Sequence, residues 1–512
     1  MAANCPVYKI DSNDTGLRFA VEKCLKELPS VGATPPDAAD PVWFAMEPNS
    51  YGDFGANITT IARNPINASR QRQKGVVTDL EATASITMDL LSDNHMLFME
   101  GFMFSHAREK AHTRNIAGEG VAVTAVTATG YSVADAVAQT FPDGALVFAK
   151  GFTSNTNNGL KLLTGVATGE LTVAGLAVEA SPPVEATIRE VGFQFSAGDV
   201  VLGVAAGVVT LTSTAKDMRE LGLLPGEWVF VGGDNSANAF PNNRGFARVD
   251  SITQTTLTLG KYHWRTPSAQ SGAGISLQLF TGTVIRNEED PDQIERTTFQ
   301  FERTLGKDAD GIMSQYVIGS VANELTINAP QAEKVTAEMA FVACDSEART
   351  GLQGVKAGTR PALVPGDAFN TSSDVRRIAF NLVDDPNPLF YYATDFSLAV
   401  SNNATGLKAI GVLGNLDVSV GTFDVSGSTT GYFQDVRALN AVRENADVTV
   451  DMILAKKNSG IAFDLPLITL GNGMPAVEQD QAVTIPLDMT AAQSKFGHTL
   501  LYVNFAYLPN VA

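Results

Sequence analysis

Cysteine is nearly missing from this sequence. Cys5, Cys24 and Cys344 are the three in 512 residues, and no C-x-x-C pair occurs. Thiols so few and scattered exclude a disulfide framework and a zinc or redox couple of the usual spacing, so free, reduced thiols are expected. No apolar run approaches the ~20 residues of a membrane-spanning helix. The first residues lack the basic, apolar, small-residue order of a secretory signal, so the chain is expected to be made and folded in a cytoplasm. Cations are the third shortage: 36 Lys and Arg stand against 55 Asp and Glu, a net charge of −19. Phosphate binding needs clustered cations, so this balance excludes a protein that grips nucleic acid and describes a surface that repels it.

Signatures of catalysis are missing too. No G-x-S-x-G elbow occurs, and "TLGKY" (258–262) lacks the glycine spacing and the hydroxyl residue of a phosphate loop. "GNGMPA" (471–476) fits G-x-G-x-x-A on paper, but Pro475 and the strand-like run after it leave no helix N-terminus for a pyrophosphate. Of the five histidines, His95, His106, His112, His263 and His498, none forms a ligand pair by spacing, and surface or capping roles are expected. The acidic run 287–295, "NEEDPDQIE", lacks the order of a calcium loop. It reads as a solvated loop or as an electrostatic partner for a basic loop on a neighbouring subunit. No catalytic residue, metal site or cofactor is expected, and the chain is not expected to be an enzyme.

What the sequence does have is alternation. Leu80, Ala82, Ala84, Ile86, Met88 and Leu90 fall on one side of an extended chain, and Asp79, Glu81, Thr83, Ser85, Thr87 and Asp89 on the other. Similar runs occur in "KVTAEMAFV" (Val335, Ala337, Met339, Phe341), "NLDVSV" (Leu416, Val418, Val420) and "DVTVDMIL" (Val448, Val450, Ile453). Turn residues separate them, which argues for antiparallel sheets with one buried face. Two helices are expected: residues 14–29, with Leu17, Val21, Cys24, Leu25 and Leu28 on one stripe, and residues 432–445, with Phe433, Val436, Leu439 and Val442. The fold class is mainly β.

The chain is long enough for two to four domains. Between about Asp143 and Gly282, Gly, Ala, Val and Thr crowd out charge. Residues 151–175 and 232–261 in this stretch share an order of parts: polar loop, Asn-Asn, Gly, two short strands. The division expected is 1–145, an inserted β-rich domain at 146–281, and 282–512. A looser echo links residues 58–90 with 396–427, each a strand, an Asn-bearing loop with Lys and Gly, and an alternating strand. Ahead of the strand at 79–90 lies a segment without a carboxylate, Phe54 to Thr78, which carries Arg63, Arg70, Arg72 and Lys74.

"TGLRFAVEKCLKELP", the long segment "EPNSYGDFGANITTIARNPINASRQRQKGVVTDLEATASITMDL" and the C-terminal "GIAFDLPLITLGNG" through "TLLYVNFAYLP" resemble the major tail tube protein of long-tailed, non-contractile bacteriophages. The resemblance covers roughly residues 10–105 and 310–510. It implies a β-sandwich, possibly duplicated here, whose long sheet joins its neighbours' sheets into a closed barrel. Rings would stack into a hollow phage tail tube through which the genome passes without specific binding. On that reading Asp79, Glu81, Thr83, Ser85, Thr87 and Asp89 face the lumen, and Arg63, Arg70, Arg72 and Lys74 make inter-subunit or inter-ring contacts. Implied partners are further copies of the chain, as a trimer with pseudo-sixfold symmetry or a hexamer, and the tape measure, tail terminator and distal tail proteins. The inserted domain would decorate the exterior. Two rivals stand beside this: a baseplate or capsid decoration protein, and a carbohydrate-binding adhesin using Trp228, Trp264 and Tyr262.

Overall fold

The computed structural model describes residues 10–509 except 30–39, 67–70, 92–95, 109–119, 135–137, 139, 308–310, 364–365 and 384. Cys5, His95, His112 and Arg70 therefore lie outside the described residues. The chain opens with β1 (Thr15–Val21), β2 (Phe44–Met46), β3 (Pro48–Ile61), β4 (Val76–Asp89) and helix α1 (Met96–Met103). Short strands follow: β5 (Val121–Ala122), β6 (Ala125–Val126), β7 (Gly130–Ser132), β8 (Ala145–Lys150), β9 (Gly159–Leu162), β10 (Gly165–Ala167) and β11 (Glu170–Thr172). Next come β12 (Thr187–Gln194), β13 (Val201–Ala205), β14 (Val208–Thr212), β15 (Trp228–Val231), β16 (Gly245–Arg248), β17 (Ser251–Ile252), β18 (Thr256–Gly260) and β19 (Gln278–Thr281). Longer strands resume with β20 (Thr283–Arg286), β21 (Thr298–Lys307), β22 (Ile312–Pro330), β23 (Thr336–Ala343), β24 (Asp345–Arg349), β25 (Val375–Leu382) and β26 (Ala393–Ser401). The rest are β27 (Thr405–Leu407), β28 (Asp417–Ser419), β29 (Asp424–Tyr432), helix α2 (Arg437–Arg443), β30 (Val448–Lys456), β31 (Ser459–Asn472), β32 (Thr484–Ala491) and β33 (Leu501–Phe505).

The long strands form one 16-stranded antiparallel sheet, and its connections repeat. The path β1-β21-β22-β23-β4-β3 has the same topology as β25-β30-β31-β32-β29-β26. In each half a hairpin with a long loop, β3–β4 or β26–β29, leads into a helix. The two segments of the loose sequence echo occupy matching places in these halves. Both halves share one large core, with Phe19, Phe98, Phe299 and Phe301 in the first and Phe380, Phe396, Phe463 and Tyr502 in the second.

Local sequence explains most elements. The six apolar residues predicted inward, five on β4 and Leu90 just past its end, are all buried, because each second side chain of an extended strand points the same way. Val335, Ala337, Met339 and Phe341 behave alike. Of the three apolar residues in "NLDVSV" only Val418 is buried, while Leu416 and Val420 are exposed on a short outlying hairpin, so that alternation does not mark a half-buried strand.

The helix expected at 14–29 is not there. Thr15–Val21 is a strand, paired with β21 over seven residues and with β2 over three. Leu17, Phe19 and Val21 also alternate with period two, and sheet pairing decides between the two readings. Phe19 thereby meets Phe98 of α1, ring centroids 4.3 Å apart. Helix α2 is present but short. It buries Ala438 and Ala441, with Leu439 and Val442 packed beside them and Val436 exposed.

Strands β5 to β19 form separate sheets in which a second duplication is visible. The first unit runs β5, hairpin β6–β7, β8, β9, hairpin β10–β11, β12; the second runs β12, hairpin β13–β14, β15, β16, hairpin β17–β18, β19. In the first, β5 and β8 both pair with β12; in the second, β12 and β15 both pair with β19. Strand β12 therefore ends one unit and begins the next. The sequence repeat has a structural purpose. Asn157 clasps the backbone of Ala177, donating at 2.9 Å and accepting at 2.8 Å, and Asn243 clasps Ser268 in the same way at 2.8 and 2.9 Å. The glycines two residues on, Gly159 and Gly245, hold positive φ. Each unit has its own core. These sheets begin at Val121, earlier than the expected boundary, and residues 120–134 are already rich in Gly, Ala, Val and Thr.

Candidate functional site

Eight strands lie side by side in the order β3-β4-β23-β22-β26-β29-β32-β31, with the C-terminal part of β22 joining the halves. One face carries the core. The opposite face is built by register: Asp89 stands across from Thr336, Thr87 from Glu338, Glu338 from Thr326, Asn328 from Ser397, Ser397 from Ser428, and Ser428 from Asp488. All six polar β4 residues singled out in the sequence lie on this face, with Glu81 fully exposed and the others half-buried. Glu324, Glu338, Asp395, Asp424 and Asp488 add carboxylates from the other strands, all exposed.

None of the eight strands contains a lysine or an arginine. Two lysines reach the face from turns at its two ends. Lys408 donates to Asp79 and stands 3.3 Å from Glu81, and its hydrogen bond lowers the Asp79 carboxyl below its ordinary range. Lys334 lies 2.8 Å from Asp89; partial burial works to raise that carboxyl, but Lys334 and Asn49 lower it on balance. Between these ends the face is carboxylate and hydroxyl, a wall that repels phosphate.

The basic segment sits at the tip of the β3–β4 hairpin. Strand β23 pairs with β4 only from Ala82 onward, so Val76–Glu81 and their β3 partners project as a two-stranded ribbon. Arg63, Arg72 and Lys74 are exposed at its end, above the exposed Ile58, Ile61, Val76 and Val77. Arg70 lies outside the described residues.

Other sequence candidates have structural explanations. His263 is buried between the Trp264 and Gly207 carbonyls, at 2.7 and 2.8 Å. His498 is also buried, and burial, then Arg286 and Arg248, push its pKa down to about 4. Neither lies at the surface; of the surface or capping roles expected, His263 keeps only a bond to backbone carbonyls. His106 is bound to Glu295 at 2.5 Å, and the acidic run holding Glu295 is strapped to its own chain, Asn287 accepting from the Thr499 and Leu500 amides. Trp228 is wholly buried and Tyr262 is covered by the Arg248 guanidinium 4.0 Å away, so with Trp264 they make no common stacking surface for a sugar.

Sequence reasoning missed the junction between the short-strand sheets and the large one. Phe230, Phe246 and Phe280 pack there on Val503, Phe505 and Leu508. Arg248 of β16 enters the large sheet, donating to Thr449 at 2.8 Å and meeting the fully buried Asp464 at 3.2 Å. Burial raises Asp464 to about 6 although Arg248 pulls it down. Arg377 pairs with buried Asp451 alongside. Arg248 and Asp464 are far apart in sequence, and neither stands in a motif.

No helix of the described residues is long and apolar enough to cross a membrane. No curated protein matches the chain. A family model described as phage tail tube protein matches residues 12–491, both halves and the short-strand sheets between them. That match spans nearly the whole chain, and the chain belongs to the phage tail tube protein family.

Proposed function

We propose that the chain polymerises as stacked rings into the hollow tail tube of a long-tailed, non-contractile phage, and that the face whose strands carry no cation lines the bore through which DNA leaves. The observation that carries this is the eight-stranded wall without a lysine or arginine. Duplex DNA sliding past it meets two lysines, Lys334 and Lys408, each already paired with carboxylates of the face, and like charge keeps it from the rest of the wall. Closure into a barrel would also cover the long edges that such strands otherwise offer to aggregation.

The duplicated topology favours a ring of three chains with pseudo-sixfold symmetry over a hexamer. Three eight-stranded walls at ~4.8 Å per strand give a circumference of about 115 Å and about 37 Å between opposite backbones, wider than a DNA duplex. A single chain closing alone would leave about a third of that circumference. The short-strand sheets are read as an inserted domain on the outside of the tube. Synthesis in the bacterial cytoplasm and contacts with tape measure, terminator and distal tail proteins belong to the same reading. Negative-stain electron microscopy of the purified protein, with end-on views classified by symmetry, tests it. Long hollow tubes with threefold averages are expected. Strict sixfold averages would refute the trimer, and virion tails that fail to label with antibody to this chain would refute the tube.

A further inference from the structure

One seam joins the two halves inside the chain, and among the described residues the matching edges of a second seam are open. In the internal seam β22 receives β26, from Glu324 opposite Ser401 to Pro330 opposite Asp395. In the repeat β31 corresponds to β22 and β3 to β26. Thr469–Asn472 of β31 pair with β32 on one side, and β3 pairs with β4 on one side; among the described residues no strand pairs with the other side of either.

The loops show how such a seam is locked. After β26, the loop 402–423 lies back over a corner of the first half. Lys26 donates to the Asn415 carbonyl at 2.8 Å, and Arg296 donates to the Val418 carbonyl at 2.7 Å and pairs with Asp417 at 3.0 Å. Arg296 stands just ahead of β21. The equivalent corner of the second half, just ahead of β30, presents Glu444 and Asp447, both exposed, beside the single exposed cation Arg443. Matching backbone bonds mark the equivalence: the Glu22 amide donates to the Thr298 carbonyl in one half, and the Val383 amide to the Asp447 carbonyl in the other. The loop that corresponds to 402–423 is 62–75, which carries Arg63, Arg72 and Lys74 and no carboxylate. The internal seam sets a base on the corner against an acid in the loop; the open edges offer an acidic corner and a basic loop.

We propose that a second copy of this chain completes the second seam: the outer edge of β3 pairs with Thr469–Asn472 of the next copy, and loop 62–75 sets Arg63, Arg72 and Lys74 over that copy's Glu444 and Asp447. This rests on the reading of the chain as a ring-forming tube protein and names the contact that closes the ring. It assigns the basic loop to the neighbour within a ring.

The test is a charge exchange in the full chain, read by sedimentation velocity and electron microscopy at low salt. Glu444→Lys with Asp447→Lys, and separately Arg63→Glu with Arg72→Glu and Lys74→Glu, are each expected to lower the assembled fraction at least tenfold with the thermal unfolding midpoint unchanged. All five substitutions together are expected to restore at least half of the wild-type assembly. Assembly that survives the acidic-corner variant, or a combined variant no better than the worse of its parents, overturns the seam while wild-type tubes leave the tube reading standing. Wild-type protein and virions without tubes containing this chain would overturn both.

Discussion

The sheet face and the junction of the short-strand sheets treat charge in opposite ways. On the face, Glu81, Glu324, Glu338 and Asp488 stand in water with no cation from their own strands. At the junction, Arg248 and Asp464 are both withdrawn from water and depend on each other. Charge in solvent shapes the field around a molecule and adds little to its stability, whereas charge in a buried site is tolerated only when paired. The same residue types thus serve repulsion in one place and register in the other.

The comparison is broken most severely at the junction. Arg248→Met leaves Asp464 buried without its cation and is expected to cost about 3–5 kcal/mol, read as a shift in urea unfolding. Joining it with Asp464→Leu is expected to recover most of the loss; a single variant as stable as the wild type would show that the pair adds nothing. Next comes His498, held neutral because its folded pKa of about 4 lies below the ordinary 6.5. Between these values the unfolded chain takes up a proton that the folded chain refuses. Stability is therefore full above pH 6.5 and falls as pH drops toward 4, by up to roughly 3 kcal/mol. In His498→Phe that part of the acid loss is expected to vanish from the melting temperature measured against pH; an unchanged profile would contradict the assignment. The smallest effect on stability is expected on the face. Glu81→Lys with Asp488→Lys, one from each half, should change unfolding by no more than about 0.5 kcal/mol each. Yet phage carrying both should eject DNA several times more slowly, and an unchanged rate would argue that the face does not line the bore.

How much of this was legible beforehand follows from what each residue had to satisfy. Strand β4 was legible because one face is core and the other water, so its alternation is complete. Residues 14–29 misled because Leu17, Val21 and Leu28 fit a helical stripe, and nothing local reveals that β21, almost three hundred residues on, supplies a partner. Helix α1 gave no signal at all. Nearly every residue of "MLFMEGFM" is buried, so it has no polar side to mark a period. The shared order of Asn-Asn and then Gly was visible because the clasp needs an amide side chain with a glycine two residues on. The candidate face could be read one strand at a time. That eight strands share it could not, since register across β22 and β26 is set by tertiary contact.

The covalent link through the internal seam has a kinetic side. Two halves on one chain meet at an effective concentration fixed by the connection, and lengthening that connection costs only logarithmically. Half the joints of the proposed ring would then form during folding, before any two chains collide, leaving three joints to form between chains where six separate subunits would need six. The link also lets the halves diverge. Strands β5 to β19 follow the first helix and have no counterpart after the second, so the proposed tube would carry three outward projections per ring, 120° apart, with bare wall between them.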